Sequence, residues 1–391
     1  MLKYAILYHE ESAERERERM MMQEVLKNEE QAMLRLRALY RRYGYAQYKM
    51  SKFEEYDLYA RNKNFLSSEY IATFNEPGGR LMALKPDVTL SIVRNTRGSA
   101  GTCKYFYNEN VYRLSAHRQE LKERMQAGLE YIGELDVFAM GEVIFLALKS
   151  LETISDRYLL DVSHLGFVSG LLESLGLDGE AQGKMLRCIS EKNAPEIEKL
   201  CASLGVSREN CERLMTLASL YGKWEDVRET MLSLCVGEKM RSAVAELEAI
   251  LKTVRALGGT DALYLDFSTV NDMKYYNGIV FQGYVDGLPT CILSGGQYDP
   301  LLKQFGREGG AIGFAVYLDL LERFHTPERD YDVDVLIRYD DATEPAVLAG
   351  HVRRITAAGE SVRATREPEE NVKYRRLLSL EGGRVKEADD A

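Results

Sequence analysis

Several polar residues stand in runs whose other members are apolar and strand-like. They are Asp87 in "ALKPDVT", Arg113 in "VYRL", Gln126 and Glu130 in "MQAGLEYIG", and Tyr275 and Tyr276 in "KYYNGIVF". Packing alone asks for apolar side chains at such places. A carboxylate suits an ammonium, an amide or a planar guanidinium suits a carboxylate, and a tyrosine supplies shape with a polar tip. Together these are the requirements of a pocket for a zwitterion. Gln126 and Glu130 are four residues apart, so on a strand they share a face. Scattered, hydrogen-bonded surface groups would leave the same trace, and spacing leaves both readings open. His117, alone in the charged stretch between Arg113 and Gln126, reads as a solvated loop histidine and not as a general base.

The elements that must carry these residues can be read in outline. Residues 14–43 place Met20, Val25, Leu26, Ala32, Leu36 and Leu39 at broadly helical spacing, and Gly44 ends the run. "EYIATFNEPGGRLMALKPDVT" has a Pro-Gly-Gly turn between apolar strands, a hairpin signal. "DVTLSIVRNT" reads as a helix with Asp87 near its start as a cap. "KYFYNENVYRL" and "MQAGLEYIG" flank the charged loop 114–124 as a second antiparallel pair. "VFAMGEVIFLALKSLETI" is an apolar helix, and "YLLDVSHLGFVSGLLESLGL" a strand leading into another. From about 173 to 255 the chain is helical and charged, with Pro195 read as a breaker, which suggests an inserted helical subdomain. Strands resume at "LYLDFSTV", "YYNGIVFQGYV" and "PTCILSGGQYD", and "GGAIGFAVYLDLLERF" reads as glycines followed by an apolar helix. After residue 326 one strand, one helix and one short strand (361–365) form a small α/β appendage. The polar end "GGRVKEADDA" reads as a flexible terminus.

Composition bounds the function class. A chain of 391 residues exceeds one typical core, so a main domain with smaller units is expected. The formal net charge of −10, without a long basic tract, disfavours backbone-driven nucleic-acid binding and points to small molecules and proteins as partners. The six cysteines (103, 188, 201, 211, 235 and 291) show no metal-ligand spacing and read as buried, reduced thiols. Apolar runs fall short of a membrane span, and the first residues do not read as a signal peptide, so a cytoplasmic protein without metal or cofactor is expected.

Six ordered segments carry a resemblance. "RRYGYAQYKMSKFE", "LMALKPDVTLSIVRN", "VYRLSAHRQELKERMQAGLEYIG", "MKYYNGIVFQG", "ILSGGQYDPLLKQFG" and "GGAIGFAVYLDLL" occur in the order of the histidyl-tRNA synthetase catalytic domain. The match spans roughly residues 10 to 325, insertion included. It implies the class II aminoacyl-tRNA synthetase-like fold, α+β, with an antiparallel sheet flanked by helices and normally dimeric. Domain 1–325 would hold that core with the insertion at about 173–255. Residues 326–391 would be a truncated anticodon-binding-like region, which makes a tRNA reader improbable.

Departures from the family pattern then set the functional expectation. Arg113 matches the second class motif, but the glutamate two residues later is Ser115, and the following loop is about one residue shorter. The ATP-facing arginine of that loop becomes Lys122, and the adenine-stacking arginine of the third motif is Leu320. In the histidine-specific motif Asn271 replaces the activating arginine and Lys274 the aspartate. Adenylate formation needs fixed positive charge about the phosphates, which serine, leucine and asparagine do not supply. Ser51 stands for the usual proline of the first motif, which leaves dimer geometry less determined.

The amino-acid half is kept. Asp87 stands for a glutamate, while Gln126, Glu130, Tyr275 and Tyr276 match directly and Gly295 and Gly296 match the turn beside them. The resemblance implies a histidine site of Asp87, Thr89, Arg113, Gln126, Glu130, Tyr275, Tyr276, Gly295 and Gly296, with no catalytic residue. Taken whole, the sequence resembles the regulatory subunits of ATP phosphoribosyltransferase. That implies a non-catalytic chain that activates a short-form catalytic subunit and conveys L-histidine feedback in the first step of histidine biosynthesis. The implied assembly is a homodimer within a hetero-oligomer. The alternatives are a divergent histidyl-tRNA synthetase or another synthetase-like histidine- or tRNA-binding module.

Overall fold

The computed structural model describes residues 26–65, 71–96, 101–114, 120–259, 261–270, 275–323, 330–367, 371–382 and 384–388. The chain forms two compact units, Met1–Phe324 and His325–Ala391. In the first, nine strands make one sheet: β1 (Ala46–Gln47), β5 (Cys103–Leu114), β6 (Leu121–Gly133), β7 (Tyr158–His164), β8 (Tyr221–Gly222), β9 (Leu263–Asp266), β10 (Ile279–Val285), β11 (Leu293–Gln297) and β12 (Gly310–Tyr317). Their order is β1-β5-β6-β12-β11-β10-β7-β9-β8, antiparallel from β5 through β7. A smaller sheet of β2 (Phe53–Glu55), β4 (Leu81–Leu84) and β3 (Thr73–Asn75) contains the hairpin, which turns at Glu76–Arg80.

Register makes the two faces of the large sheet chemically different. Phe106, Leu129, Phe314, Gly295, Phe281, Val162 and Leu265 lie side by side across seven strands. This row belongs to the main core with the apolar helix Val137–Ile154 and the helix Asn28–Arg42. The next row, on the opposite face, is Tyr107, Gly128, Ala315, Ser294, Gln282, Asp161 and Tyr264. A parallel row on that same face carries Tyr105, Glu130, Gly313, Gly296, Val280 and Ser163. Strand alternation therefore gathers the polar groups onto one side.

Several elements differ from the sequence expectation. "GGAIGFAV" is strand β12 and not the start of a helix; only the short 3-10 turn Leu318–Arg323 follows it. Its site face is Ala311, Gly313 and Ala315, so the usual apolar/polar alternation is missing and the run reads as featureless apolar chain. Pro195 does not break a helix: it sits in the first turn of Ala194–Leu204, where its missing N–H costs nothing. The first helix spans Asn28–Arg42, and residues 14–25 lie outside the described residues. Gly44 follows it at φ 80°, the left-handed region that glycine enters freely.

The insertion consists of the helices Gly179–Ser190, Ala194–Leu204, Arg208–Ser219, Trp224–Leu234 and Glu238–Ala256. Cys188, Cys201 and Cys211 are buried among them, and all six cysteines are free thiols. In the second unit, β13 (Val333–Tyr339), β14 (Val362–Thr365), β15 (Tyr374–Glu381) and β16 (Arg384–Ala388) form a sheet in the order β14-β13-β15-β16. With helix Pro345–Ala357 it closes a small core of Val335, Ile337, Ile355 and Leu380. The polar end reads from sequence as a flexible terminus, but its Arg384–Ala388 pairs with β15 through backbone bonds that need no apolar side chain. Among the described residues no helix is long and apolar enough to cross a membrane.

Candidate functional site

Glu130, in the C-terminal part of β6, has 2% of its surface exposed. Thr89 Oγ1 donates to its Oε1 at 2.7 Å and the Tyr298 hydroxyl to its Oε2 at 2.6 Å. Burial pushes the Glu130 carboxyl up to about 8; the Tyr298 and Thr89 hydrogen bonds pull it down and Asp87 pushes it further up. Asp87 is shifted upward too, by burial first, against the Leu90 amide bond and the nearby Arg113 guanidinium. Two carboxyls thus share a low-dielectric space and want a cation.

The strand rows explain why the space exists. At Gly313 an added Cβ would lie 1.8 Å from Glu130 Oε2, so the carboxylate occupies the volume a side chain would take. At Gly296 a Cβ would meet Tyr276 Cδ1 at 2.8 Å, and at Gly128 the Tyr107 ring at 2.5 Å. Missing side chains on three strands let polar tips and aromatic rings lie directly on the backbone.

Gln126 follows on β6, on the same face, 3% exposed. Its Nε2 is buried without a hydrogen-bond partner, a donor awaiting an acceptor. Glu109, opposite it on β5, is held by the buried Lys85 ammonium and accepts the Met50 amide at 3.2 Å. Lys85 is thereby matched locally by its own carboxylate.

Asp87 and Thr89 lie at the entrance to helix Thr89–Asn95, where Asp87 Oδ1 accepts the Leu90 N–H at 2.9 Å, the expected cap. Arg113 Nε donates to the Pro86 carbonyl at 2.9 Å, which sets the guanidinium beside Asp87. Tyr275 and Tyr276 meet edge to face with centroids 4.6 Å apart, and Tyr275 lies 5.7 Å from Tyr298. Thr89 is a hydrogen-bond neighbour of the Tyr275 hydroxyl, so Asp87, Thr89, Glu130 and Tyr275 form one cluster. The two glycines part company: Gly296 faces Tyr276, whereas Gly295 faces the helix-packed core, its Cβ position 2.4 Å from Phe314 Cβ.

Sequence reasoning missed Tyr298, Tyr107 and Gly313. Tyr298 stands two residues past Gly296, fully buried beside the cluster, and a tyrosine next to a matched glycine pair was the available signal. Of the departures, Ser115, Asn271 and Lys274 lie outside the described residues, as does the loop histidine His117. Lys122 is exposed opposite Arg113, and Leu320 packs half-buried against the main core, an apolar contact in place of a cation. Among the described residues no group of three metal-ligating side chains converges.

The family model described as histidyl-tRNA synthetase matches residues 19–321, which include every member of this cluster. An ATP phosphoribosyltransferase regulatory subunit of Clostridium kluyveri is 30% identical over 292 residues, 73% of this chain and 74% of the relative. The chain belongs to the histidyl-tRNA synthetase-like family of ATP phosphoribosyltransferase regulatory subunits. A further regulatory subunit, from Oceanobacillus iheyensis, is 28% identical over 82% of this chain and 80% of its own length. A solved structure from Bacillus halodurans, described as an ATP phosphoribosyltransferase regulatory subunit/histidyl-tRNA synthetase, superposes with a TM-score of 0.72 at 26% identity. It covers 90% of this chain and 93% of that one. The α+β class II synthetase-like architecture is thus common to this chain and its relatives.

Proposed function

We propose that this chain is a non-catalytic regulatory subunit of ATP phosphoribosyltransferase, and that the Glu130 cluster binds free L-histidine. Glu130 and Asp87 take the ammonium or imidazole, Gln126 and Arg113 the carboxylate end, and Tyr275 and Tyr276 flank the ring. The observation that carries this reading is the pairing on one sheet face of a buried carboxyl already holding two donors with an amide whose Nε2 has none. That is the complement of a zwitterion's two ends.

A subunit without chemistry of its own alters a reaction only by favouring one conformation of the chain that performs it. The proposed partner is a short-form catalytic subunit, in a hetero-oligomer where this chain is dimeric through its synthetase-like core. The chain activates that partner and, with histidine bound, inhibits it. Residues 1–325 carry sensing, the helices of about 173–255 are an insertion, and 326–391 has no tRNA-reading role in this scheme. The working place is the cytoplasm, where the pathway's soluble substrates are.

The experiment is copurification of the chain with a short-form catalytic subunit, with and without L-histidine, followed by gel filtration. A stable complex that responds to histidine supports the proposal; two separate peaks in both conditions remove it.

A further inference from the structure

Among the described residues one that carries a side chain occupies the left-handed region: Lys192, at φ 51°, just past the insertion's first helix, Gly179–Ser190. The Lys192 N–H donates to the Ile189 carbonyl at 3.0 Å and the Asn193 N–H to the Cys188 carbonyl at 2.9 Å. That closure of a helix end usually has glycine at the left-handed place. The next helix, Ala194–Leu204, does end on one, Gly205 at φ 67°. A Cβ is disfavoured in this conformation, so a lysine kept there points to a use for its side chain.

The side chain leaves the insertion and lands on the edge of the large sheet. Lys192 Nζ donates to Asp266 Oδ2 on β9 at 2.8 Å and sits 5.2 Å from the ring centre of Tyr221 on β8, which stacks on Tyr264 at 5.5 Å. Asp266 is buried, and its other oxygen has a different partner: Oδ1 accepts the Ser268 N–H at 2.8 Å. That turn opens the stretch leading to Tyr275 and Tyr276, and its Phe267 and Val270 are buried in the main core. One carboxylate therefore grips the insertion with one oxygen and the tyrosine-bearing stretch with the other. A polar hollow of about 250 Å³ has Ser190 of the insertion, Asp266, Ser268 and Tyr276 among its walls. Tyr276 also belongs to the Glu130 cluster, so the hollow adjoins that site and is not a second one. Asp161 on β7 feels the same lysine: burial first, and then Asp266, push its carboxyl up to about 7, with Lys192 pulling it down.

We propose that Lys192 is a positioning residue for the Glu130 site: acting through Asp266, it seats the helical insertion and holds the stretch that carries Tyr275 and Tyr276, so that the two are coupled. The coupling to ligand rests on the proposed binding of L-histidine at that cluster. Its size is modest, because the Lys192 side chain is 43% exposed and such ion pairs are weak by themselves. About fivefold in histidine affinity, the low end of intersite coupling, is expected. Coupling is reciprocal, so saturating histidine should protect the insertion by up to the same factor.

The test uses the full chain and three variants. Lys192→Met removes the ammonium, Lys192→Gly removes it while giving the left-handed position the residue it favours, and Lys192→Arg keeps a cation. Hydrogen exchange without histidine is followed at peptides carrying Ser268–Val270 and Tyr275–Tyr276 and at the insertion helices. The Met and Gly variants should exchange severalfold faster at both places, with β5 and β6 unchanged, and the Arg variant should stay close to wild type. Calorimetry should then show histidine bound about fivefold more weakly by the Met and Gly variants, with little change in Lys192→Arg. Saturating histidine should slow exchange of the insertion in the wild type and not in Lys192→Met. Lys192→Gly decides the matter, since a lysine that only ends a helix could be replaced by glycine without loss. Wild-type exchange at the tyrosine-bearing peptides in both the Met and Gly variants, or wild-type histidine affinity in Lys192→Gly, overturns the proposal. A wild-type chain that binds no histidine would instead remove the reading of the Glu130 cluster, and exchange without histidine would still decide whether Lys192 positions the two tyrosines.

Discussion

Replacing Glu130 by glutamine keeps the shape of the side chain and removes its charge. In the folded chain Glu130 accepts from Thr89 and Tyr298 and titrates at about 8, so at pH 7 roughly nine-tenths of it is protonated. A ligand ammonium must ionise it, at a cost of about 1.4 kcal/mol per unit between pH and pKa, and the ion pair formed in that buried space offsets the cost. Two consequences follow for L-histidine binding to the wild type. Calorimetry in two buffers of different ionisation enthalpy should show release of about 0.9 proton from this carboxyl at pH 7. Affinity should also climb severalfold between pH 7 and pH 8. In Glu130→Gln that proton release disappears, and the loss of a buried charge partner, about 2 to 5 kcal/mol, weakens binding by a factor between about 30 and several thousand. One of the Thr89 and Tyr298 hydroxyls can still donate to the amide oxygen while the other turns to accept from the amide nitrogen, so the fold should hold. Equal affinity and equal proton release in wild type and variant would refute the placement of the ammonium at Glu130.

Other consequences are open to simple measurements. Gly313→Ala would set a Cβ 1.8 Å from Glu130 Oε2 and 2.5 Å from the Leu129 carbonyl, so histidine binding should be lost, and near-wild-type affinity would show the cradle to be unimportant. Histidine-dependent exchange of pyrophosphate into ATP should not exceed a blank without protein, because Leu320 packs into the core where the family pattern has an adenine-stacking arginine; a clear rate would favour a divergent synthetase. Glu130 and Asp161 both titrate above their unfolded values, so their contribution to stability is complete below about pH 4 and is lost as pH rises through 7 to 8. Urea midpoints should therefore fall by the equivalent of about 5 kcal/mol from pH 5.5 to 8.5, and Asp161→Asn should remove about 2 kcal/mol of that slope; a midpoint that rises over this range contradicts the burial of these carboxyls.

Much of this was legible before any coordinates, for identifiable reasons. The pairing of β5 with β6 follows from aromatic and β-branched runs flanking a charged loop, and period two puts Gln126 and Glu130 on one face. The hairpin of β3 and β4 announces itself through Pro77, Gly78 and Gly79. What the sequence hides is depth. Gly313 and Gly128 are small because a carboxylate and a ring lie over them, and the smallness of Ala311, Gly313 and Ala315 erases the strand signal of β12. Gly295 and Gly296 are adjacent in sequence, but alternation sends one towards Phe314 and the other towards Tyr276. Tyr298 reaches Glu130 from 168 residues away, a contact that no local pattern encodes. Asp161 and Asp266 meet through the parallel pairing of β7 with β9, across the whole helical insertion.

The central claim is that this chain lends histidine control to a catalytic chain that lacks it. The direct measurement is formation of phosphoribosyl-ATP from ATP and phosphoribosyl pyrophosphate by a short-form catalytic subunit, alone, with this chain, and with its Glu130→Ala variant, each over a histidine titration. Intersite coupling of about 1 to 3 kcal/mol corresponds to a roughly 5- to 150-fold change in effector response. The expected result is activity that depends on this chain, strong inhibition of the wild-type mixture by histidine, and relief of that inhibition in the Glu130→Ala mixture with the complex still intact by gel filtration. Equal activity and equal histidine sensitivity with and without this chain would contradict the account.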